Sequence, residues 1–165
     1  MRKGFTIVEL LIVMSILAVL ATFFISGYTG TQRRARDAQR KSDLKQLANA
    51  FEIFFSDHTK YPPASGTQIA GCTYNPVTET GTACAWASGQ FSDGTTVYFK
   101  TVPGDPSGGY SYVYRTDVNG TNFRLYARLE NPEDPDIIPG LTENACHATL
   151  TPGCNFAITS GNVTP

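Results

Sequence analysis

The stretch MRKGFTIVELLIVMSILAVLATFFISGY, residues 1–28, decides how the rest of the chain is read. Residues 5–25 contain neither proline nor glycine, and Glu9 is the only charged residue among them. As a helix at 1.5 Å per residue this run is about 32 Å long, enough to cross the hydrocarbon core of a bilayer. A lone carboxylate at that depth costs about 2–3 kcal/mol even on permissive scales. Glu9 therefore needs a partner. Arg2 and Lys3 ahead of the run resemble the positive start of a secretory signal, but the apolar stretch is longer than such signals use and no A-x-A site follows it.

Beyond Ile25 the sequence S-G-Y-T-G-T weakens the helix, since Gly27 and Gly30 each cost about 1 kcal/mol relative to alanine. The helical pattern then resumes. Leu44, Leu47, Ala48, Phe51, Phe54 and Phe55 recur at three- and four-residue steps and form one apolar stripe. Pro62 and Pro63 are stops, because proline lacks the amide donor and clashes with the preceding turn. The spacing predicts one helix over 5–58, roughly 80 Å long. Its first half lies in a membrane and its second half packs under a head.

The 165 residues carry a net charge of −1, which conceals a gradient. Arg33, Arg34, Arg36, Arg40, Lys41 and Lys45 face only Asp37 and Asp43 within their segment, whereas residues 61–165 carry nine acidic and four basic side chains. A basic stem with an acidic head is not a nucleic-acid-binding domain by bulk charge. The four cysteines, Cys72, Cys84, Cys146 and Cys154, lie in a head rich in Thr, Ser, Asn, Gly and Tyr, as in exported disulfide-bonded domains. Their spacing is poor for zinc, which favours short paired clips. Three pairings are open. The expectation is the local one, Cys72 with Cys84 and Cys146 with Cys154, since each then closes one loop. By flank charge alone the basic segment argues for a head inside the cell; the cysteines argue for outside and take precedence, because a whole exported domain overrides flank charge.

The head reads as β. T-T-V-Y-F-K at 95–100 is a short strand, and G-Y-S-Y-V-Y-R puts Tyr110, Tyr112 and Tyr114 on one face. N-F-R-L-Y-A-R-L does the same for Phe123, Leu125, Ala127 and Leu129. Asn119-Gly120 between them suits a turn with positive φ at both residues, so 110–115 and 123–129 form a hairpin. Residues 64–94 and 131–153 read as long loops.

G-F-T-I-V-E-L-L-I-V at 4–13, behind a short basic leader, resembles the prepilin signature of type IV pilins and the pseudopilins of type II secretion. The resemblance implies cleavage by a prepilin peptidase between Gly4 and Phe5, N-methylation of Phe5, and a role for Glu9 in assembly, reaching the new N-terminal amine of a neighbouring subunit. Pairing of that kind offsets most of the cost of burying the charge. The long helix backing a small antiparallel sheet is also the family's plan, although the helix-breaking proline many members carry is replaced here by Ser26. V-P-G-D-P-S-G-G-Y at 102–110 resembles the corresponding part of major pseudopilins and of some Gram-positive-like pilins.

Few residues suggest catalysis. His147 beside Cys146 is not a nucleophile pair, because neighbours along an extended chain point apart. In line with the resemblance, Asp105, Asp117, Asp134 and Asp136 are candidate oxygen ligands for calcium, though no ligand loop of known spacing contains them. The basic segment is a weak candidate for DNA and a better one for anionic lipid or acidic neighbours. Asn119-Gly-Thr and Asn162-Val-Thr match the N-glycosylation pattern.

The expected fold is α+β, a long N-terminal helix with a membrane-spanning first half packed against a small antiparallel head. The expected parts are a leader over 1–4, a membrane and filament-core helix over 5–30, an amphipathic half over 31–60 and a globular head over 61–165. The expected function is non-enzymatic: a homo-oligomeric helical filament built by a pilus assembly platform from subunits held in the inner membrane, heads outside. The product is a surface pilus, with a role in cell adhesion, or a pseudopilus of the cell envelope. The rival from another class is an anchored binding module that never polymerises.

Overall fold

The computed structural model describes residues 4–151, 153–161 and 163–165, without the side chains of 23–27. The leader charges Arg2 and Lys3, the Asn162 pattern and the side chain of Ser26 lie outside the described residues.

Helix α1 runs unbroken from Ile7 to His58, about 78 Å at 1.5 Å per residue, with Gly30 inside it. It begins at the N-cap Thr6 and ends at Thr59, which adopts a left-handed conformation (φ 58°) and donates its N–H to the Phe55 carbonyl at 2.7 Å. The helix thus stops ahead of Pro62 and Pro63. A β-branched residue in a left-handed cap is strained. Thr59→Gly is expected to raise stability by about 0.5–1 kcal/mol, net of the extra freedom glycine gives the unfolded chain, seen as a higher denaturant midpoint at unchanged slope.

Among the described residues the head forms four small antiparallel sheets. Strand β1 (Ala64–Ser65) pairs with β2 (Gln68–Ile69), β3 (Cys72–Asn75) with β4 (Thr80–Thr82), and β5 (Phe91–Ser92) with β6 (Val97–Phe99). The principal sheet has the order β7 (Val113–Thr116), β8 (Phe123–Ala127), β9 (Phe156–Thr159). Segment 64–94, read as a loop, therefore contains two complete hairpins and a fifth strand. The predicted hairpin is present, with Val113 opposite Tyr126 and Thr116 opposite Phe123. Its turn differs from the expectation: only Gly120 takes positive φ (67°), while Asp117 holds the corner by accepting from the N–H groups of Thr121 and Asn122 at 2.7 and 2.9 Å. Strand β9 was not visible as a strand. It is stitched beside β8 by Asn155, whose side chain accepts from Leu129 N–H at 2.6 Å and donates to the Leu129 carbonyl at 3.0 Å.

The core lies between helix and sheet. Leu44, Leu47, Phe51 and Phe54 are fully buried against Tyr112, Tyr114, Phe123 and Leu125. The Phe51 ring sits 4.9 Å from Tyr114 and 5.2 Å from Phe123, centre to centre. The opposite face of the sheet is covered as well: Val113 and Tyr126 pack with Leu141 and the cystine Cys146–Cys154. Segment 131–153 is thus a second layer over the sheet. The other cystine joins Cys72 in β3 to Cys84.

Candidate assembly surface on the N-terminal helix

The helix divides into two parts with opposite physics. From Ile7 to Leu20 every large apolar side chain is about half exposed or more, and Phe5 and Ile7 exceed four-fifths. No side of this part faces the head; it is apolar all round, the pattern of a helix meant for burial in lipid or among other helices. Its few hydroxyls are turned inward onto the helix backbone. Ser15 donates to the Ile12 carbonyl at 2.8 Å and Thr22 to the Val19 carbonyl at 2.7 Å, so neither presents an unmet polar group to an apolar neighbour. Among the described residues no helical stretch is long and apolar enough to cross a membrane. The described apolar part, 7–22, measures about 24 Å, and the 5–25 run continues into side chains outside the description.

Glu9 has a partner within its own chain. One carboxylate oxygen accepts from the Thr6 N–H and from the Thr6 hydroxyl, both at 2.8 Å, while the Thr6 hydroxyl oxygen accepts from the Glu9 N–H at 3.2 Å. This is a capping box, which satisfies two N-terminal donors reciprocally and places negative charge at the positive end of the helix dipole. Its sequence signal is T-x-x-E at 6–9 ahead of an apolar run. Gly4 and Phe5, between which cleavage is expected, precede the cap and are exposed.

The second part of the helix is fastened to the head by charge as well as by the core. Asp37 and Arg40 lie on the same stripe as Leu44, Leu47 and Phe51, two turns and one turn nearer the N-terminus than Leu44, and both are buried. Arg40 donates through two nitrogens to Asp105 at 2.7 Å each and to Asp37 at 2.8 Å, and reaches Glu130 at 2.8 Å. Its guanidinium also lies 5.1 Å from the centre of the Tyr110 ring. Asp37 in turn accepts from the N–H groups of Glu130 and Asn131, each at 2.8 Å. Arg36 grips Glu130 through two nitrogens, and Lys41 donates to Asp134 and Asp136 at 2.5 and 2.6 Å.

Half of the basic stem is therefore neutralised by the chain's own head. Arg36, Arg40 and Lys41 are committed, while Arg33, Arg34 and Lys45 are exposed. The structure does not bring the calcium candidates together. Asp105 serves Arg40, Asp134 and Asp136 serve Lys41, and Asp117 closes the hairpin turn. Among the described residues no group of three or more His, Cys, Asp or Glu side chains is placed to hold a metal ion. His147 caps its own loop, accepting from the N–H groups of Thr149 and Leu150 at 3.1 and 3.2 Å, and His58 ends the helix against Asp93 at 3.0 Å.

Arg36, with Arg40 behind it, holds the Glu130 carboxyl at about 2, below the 4.5 of a free glutamate. A depressed folded-state value means that the stabilisation is present above about 4.5 and is lost as pH falls toward about 2. Acidification through that window is expected to lower amide protection factors across 130–137 before the sheet is affected. Glu130→Gln should flatten the dependence, and an unchanged profile in that variant would assign the loosening to other groups.

Residues 1–25 match the family described as the prokaryotic N-terminal methylation motif. Among characterised proteins the chain is 37% identical over 60 residues to the type IV major pilin protein PilA of Myxococcus xanthus, covering 36% of this chain and 27% of that one. It is 29% identical over 107 residues to the type II secretion system core protein G of Escherichia coli, covering 65% and 68%. It is 28% identical over 109 residues to the type IV wide pilus major component PilA4 of Thermus thermophilus, covering 61% and 82%. The chain spans less than half the length of several curated relatives it matches, 27% of the Myxococcus xanthus pilin among them. No solved structure matches.

Proposed function

We propose that this chain, a member of the type IV pilin and type II secretion pseudopilin family, is the structural subunit of a type IV pilus-like filament. The observation that carries the reading is the division of α1: a predominantly apolar, head-free N-terminal part continues without a break into a part locked to the head. Such a helix has two stable environments. In the first it stands in the inner membrane through the 5–25 run, head outside, with residues 1–4 on the cytoplasmic face for the prepilin peptidase. In the second, after cleavage at Gly4 and methylation of Phe5, it is buried among the helices of other subunits. Leaving lipid costs about 25 cal/mol for each Å² of apolar surface, which burial in the filament core must recover while an assembly platform drives the exchange. Neutralisation of Arg36, Arg40 and Lys41 by the head removes much of the positive flank that would otherwise argue for a cytoplasmic head.

The E. coli core protein G match, which covers two-thirds of that protein, favours a second reading as a pseudopilus subunit. The same experiment addresses both. Protein from sheared surface material is expected to have an intact mass lacking residues 1–4, one methyl heavier and about 4 Da lighter than the all-thiol form, because each cystine forfeits two hydrogens. Abundance in the sheared fraction supports a pilus. The processed mass retained in the cell envelope supports a pseudopilus. A full-length mass confined to membranes overturns both and leaves the anchored binding module.

A further inference from the structure

We infer that Asn119 is a glycosylation site, its side-chain amide carrying an oligosaccharide attached on the outer face of the membrane, an inference that rests on the exported head proposed above. Asn119-Gly120-Thr121 supplies the residue types such an attachment reads, an amide to bear the sugar and a hydroxyl two residues on. The sequence alone offers a competing use for Asn119, as the first positive-φ residue of the β7–β8 turn. The structure withdraws that use. Only Gly120 is left-handed there, and the corner is held by Asp117, which accepts from the N–H groups of Thr121 and Asn122 and from the Thr121 hydroxyl. The Asn119 side chain is exposed, and among the described residues its amide has no hydrogen-bond partner. Asn75, Asn144 and Asn155, by contrast, each accept from a backbone N–H and are committed to their own loops.

The place of the turn suits a bulky hydrophilic adduct. Tyr61 donates its N–H to the Gly120 carbonyl at 2.7 Å, which ties the tip to the chain leaving α1, at the end opposite Phe5. A sugar there meets neither the bilayer nor the apolar part of the helix. Val118, next to Asn119, is fully exposed, so nothing of the chain closes over the tip. Beside it lies a cleft of about 290 Å³ where Asn119 shares the wall with Lys60, Glu79 and Asp117, an ammonium and two carboxylates that suit the hydroxyls of a first sugar. The donor is an oligosaccharide carried on a lipid pyrophosphate. The Asn119 Nδ2 attacks the anomeric carbon, and the new C–N bond forms as the bond from that carbon to the pyrophosphate oxygen breaks. The pyrophosphate leaves with the electron pair, and Nδ2 gives up one proton. For Thr121 to be read, its hydroxyl must leave Asp117, to which it donates at 2.6 Å. That bond is exposed and spans four residues, so opening the corner releases it without disturbing the sheet.

The test takes the full chain from its own cells, in surface and membrane fractions, and maps the peptide that holds Asn119 by mass spectrometry under fragmentation that keeps sugars attached. That peptide is expected to be heavier by a whole number of sugar residues, a mass that adds to the processing and cystine differences given above. Asn119→Gln and Thr121→Ala should each lose the adduct, and Thr121→Ser should retain it. Asn162→Gln removes the other matching asparagine and should leave the Asn119 peptide unchanged. Asn119→Gln alters an exposed side chain without a partner, so its effect is read on a folded head. An unmodified or merely deamidated Asn119 in processed surface protein, or an adduct that survives in Asn119→Gln, would overturn the inference and leave the filament reading standing. A chain that keeps residues 1–4 yet carries the sugar on Asn119 would instead defeat the filament reading and leave the site.

Discussion

Arg40→Ala is expected to destabilise the chain by about 3–5 kcal/mol, the range for removing one partner of a fully buried ion cluster. Arg40 has no exposure, and its guanidinium is the shared partner of Asp37, Asp105 and Glu130. Deleting it leaves three carboxylates close together in a space from which water is largely excluded, with Arg36 as the remaining cation on Glu130. The effect should be visible as a lower urea midpoint for the head, followed by tyrosine fluorescence or amide exchange. A conservative change separates charge from volume. Arg40→Lys keeps the positive charge but cannot make two parallel bonds to Asp105 and a third to Asp37, so most of the loss should persist. Joint replacement of Arg40, Asp37 and Asp105 by apolar residues should cost less than Arg40→Ala alone, because no unpaired charge then remains at those positions. That ordering is the sharper test. If the triple replacement proves the most damaging, the cluster contributes net stability beyond mutual neutralisation.

How far the sequence led can be judged from these same residues. The helix was legible because its two halves carry strong, different signals, an unbroken apolar run and a stripe at helical spacing. The β7–β8 hairpin was legible from the alternation of Tyr112 and Tyr114 with Phe123, Leu125 and Ala127. Strand β9 was not: Phe156–Thr159 is four residues long, and its edge pairing depends on Asn155, which imitates backbone bonding in a way composition does not reveal. The hairpins of 64–82 were hidden for the same reason, since their strands are two to four residues long. The ionic seam was not legible: the sequence offered the basic segment as a surface for anionic lipid or acidic neighbours, not as a set of partners for the chain's own head. Nothing in the charges alone distinguishes Arg40 from Lys45, but phase does: Asp37 and Arg40 continue the spacing of Leu44, Leu47 and Phe51, whereas Lys45 does not. A charged pair in register with a core stripe is a signal that it is buried with partners from elsewhere in the chain. The partners of the calcium candidates were hidden for a related reason: Asp105 bonds an arginine, Asp134 and Asp136 a lysine, and Asp117 a turn, pairings that only the fold brings about.

Glu9→Ala is expected to reduce filament yield by an order of magnitude or more while leaving processed protein in the membrane. Two separate functions of the side chain are lost in that variant. One is the capping box with Thr6, visible in the isolated chain, worth about 1 kcal/mol of helix stability. The other is the proposed pairing with the N-terminal amine of a neighbour, needed only when subunits meet. Two further variants divide them. Thr6→Ala removes the cap hydroxyl and spares the carboxylate, so filaments should form at near-normal yield. Glu9→Gln keeps an acceptor oxygen for the Thr6 N–H but has no charge to offer an ammonium, so filaments should be scarce although the cap survives. The physical ground for this asymmetry is burial. In the exposed helix start of the single chain a capping bond is one modest term among several. Inside an apolar bundle an ammonium without a counter-charge is excluded, and Glu9 is the only carboxylate between Phe5 and Ile25 that could provide one. Within a filament the carboxylate would have to leave at least one Thr6 bond to make the new contact, so the cap acts as a latch released by the correct neighbour. Abundant filaments from Glu9→Gln would show that Glu9 matters only for starting the helix. Loss of filaments in Thr6→Ala alone would lead to the same conclusion.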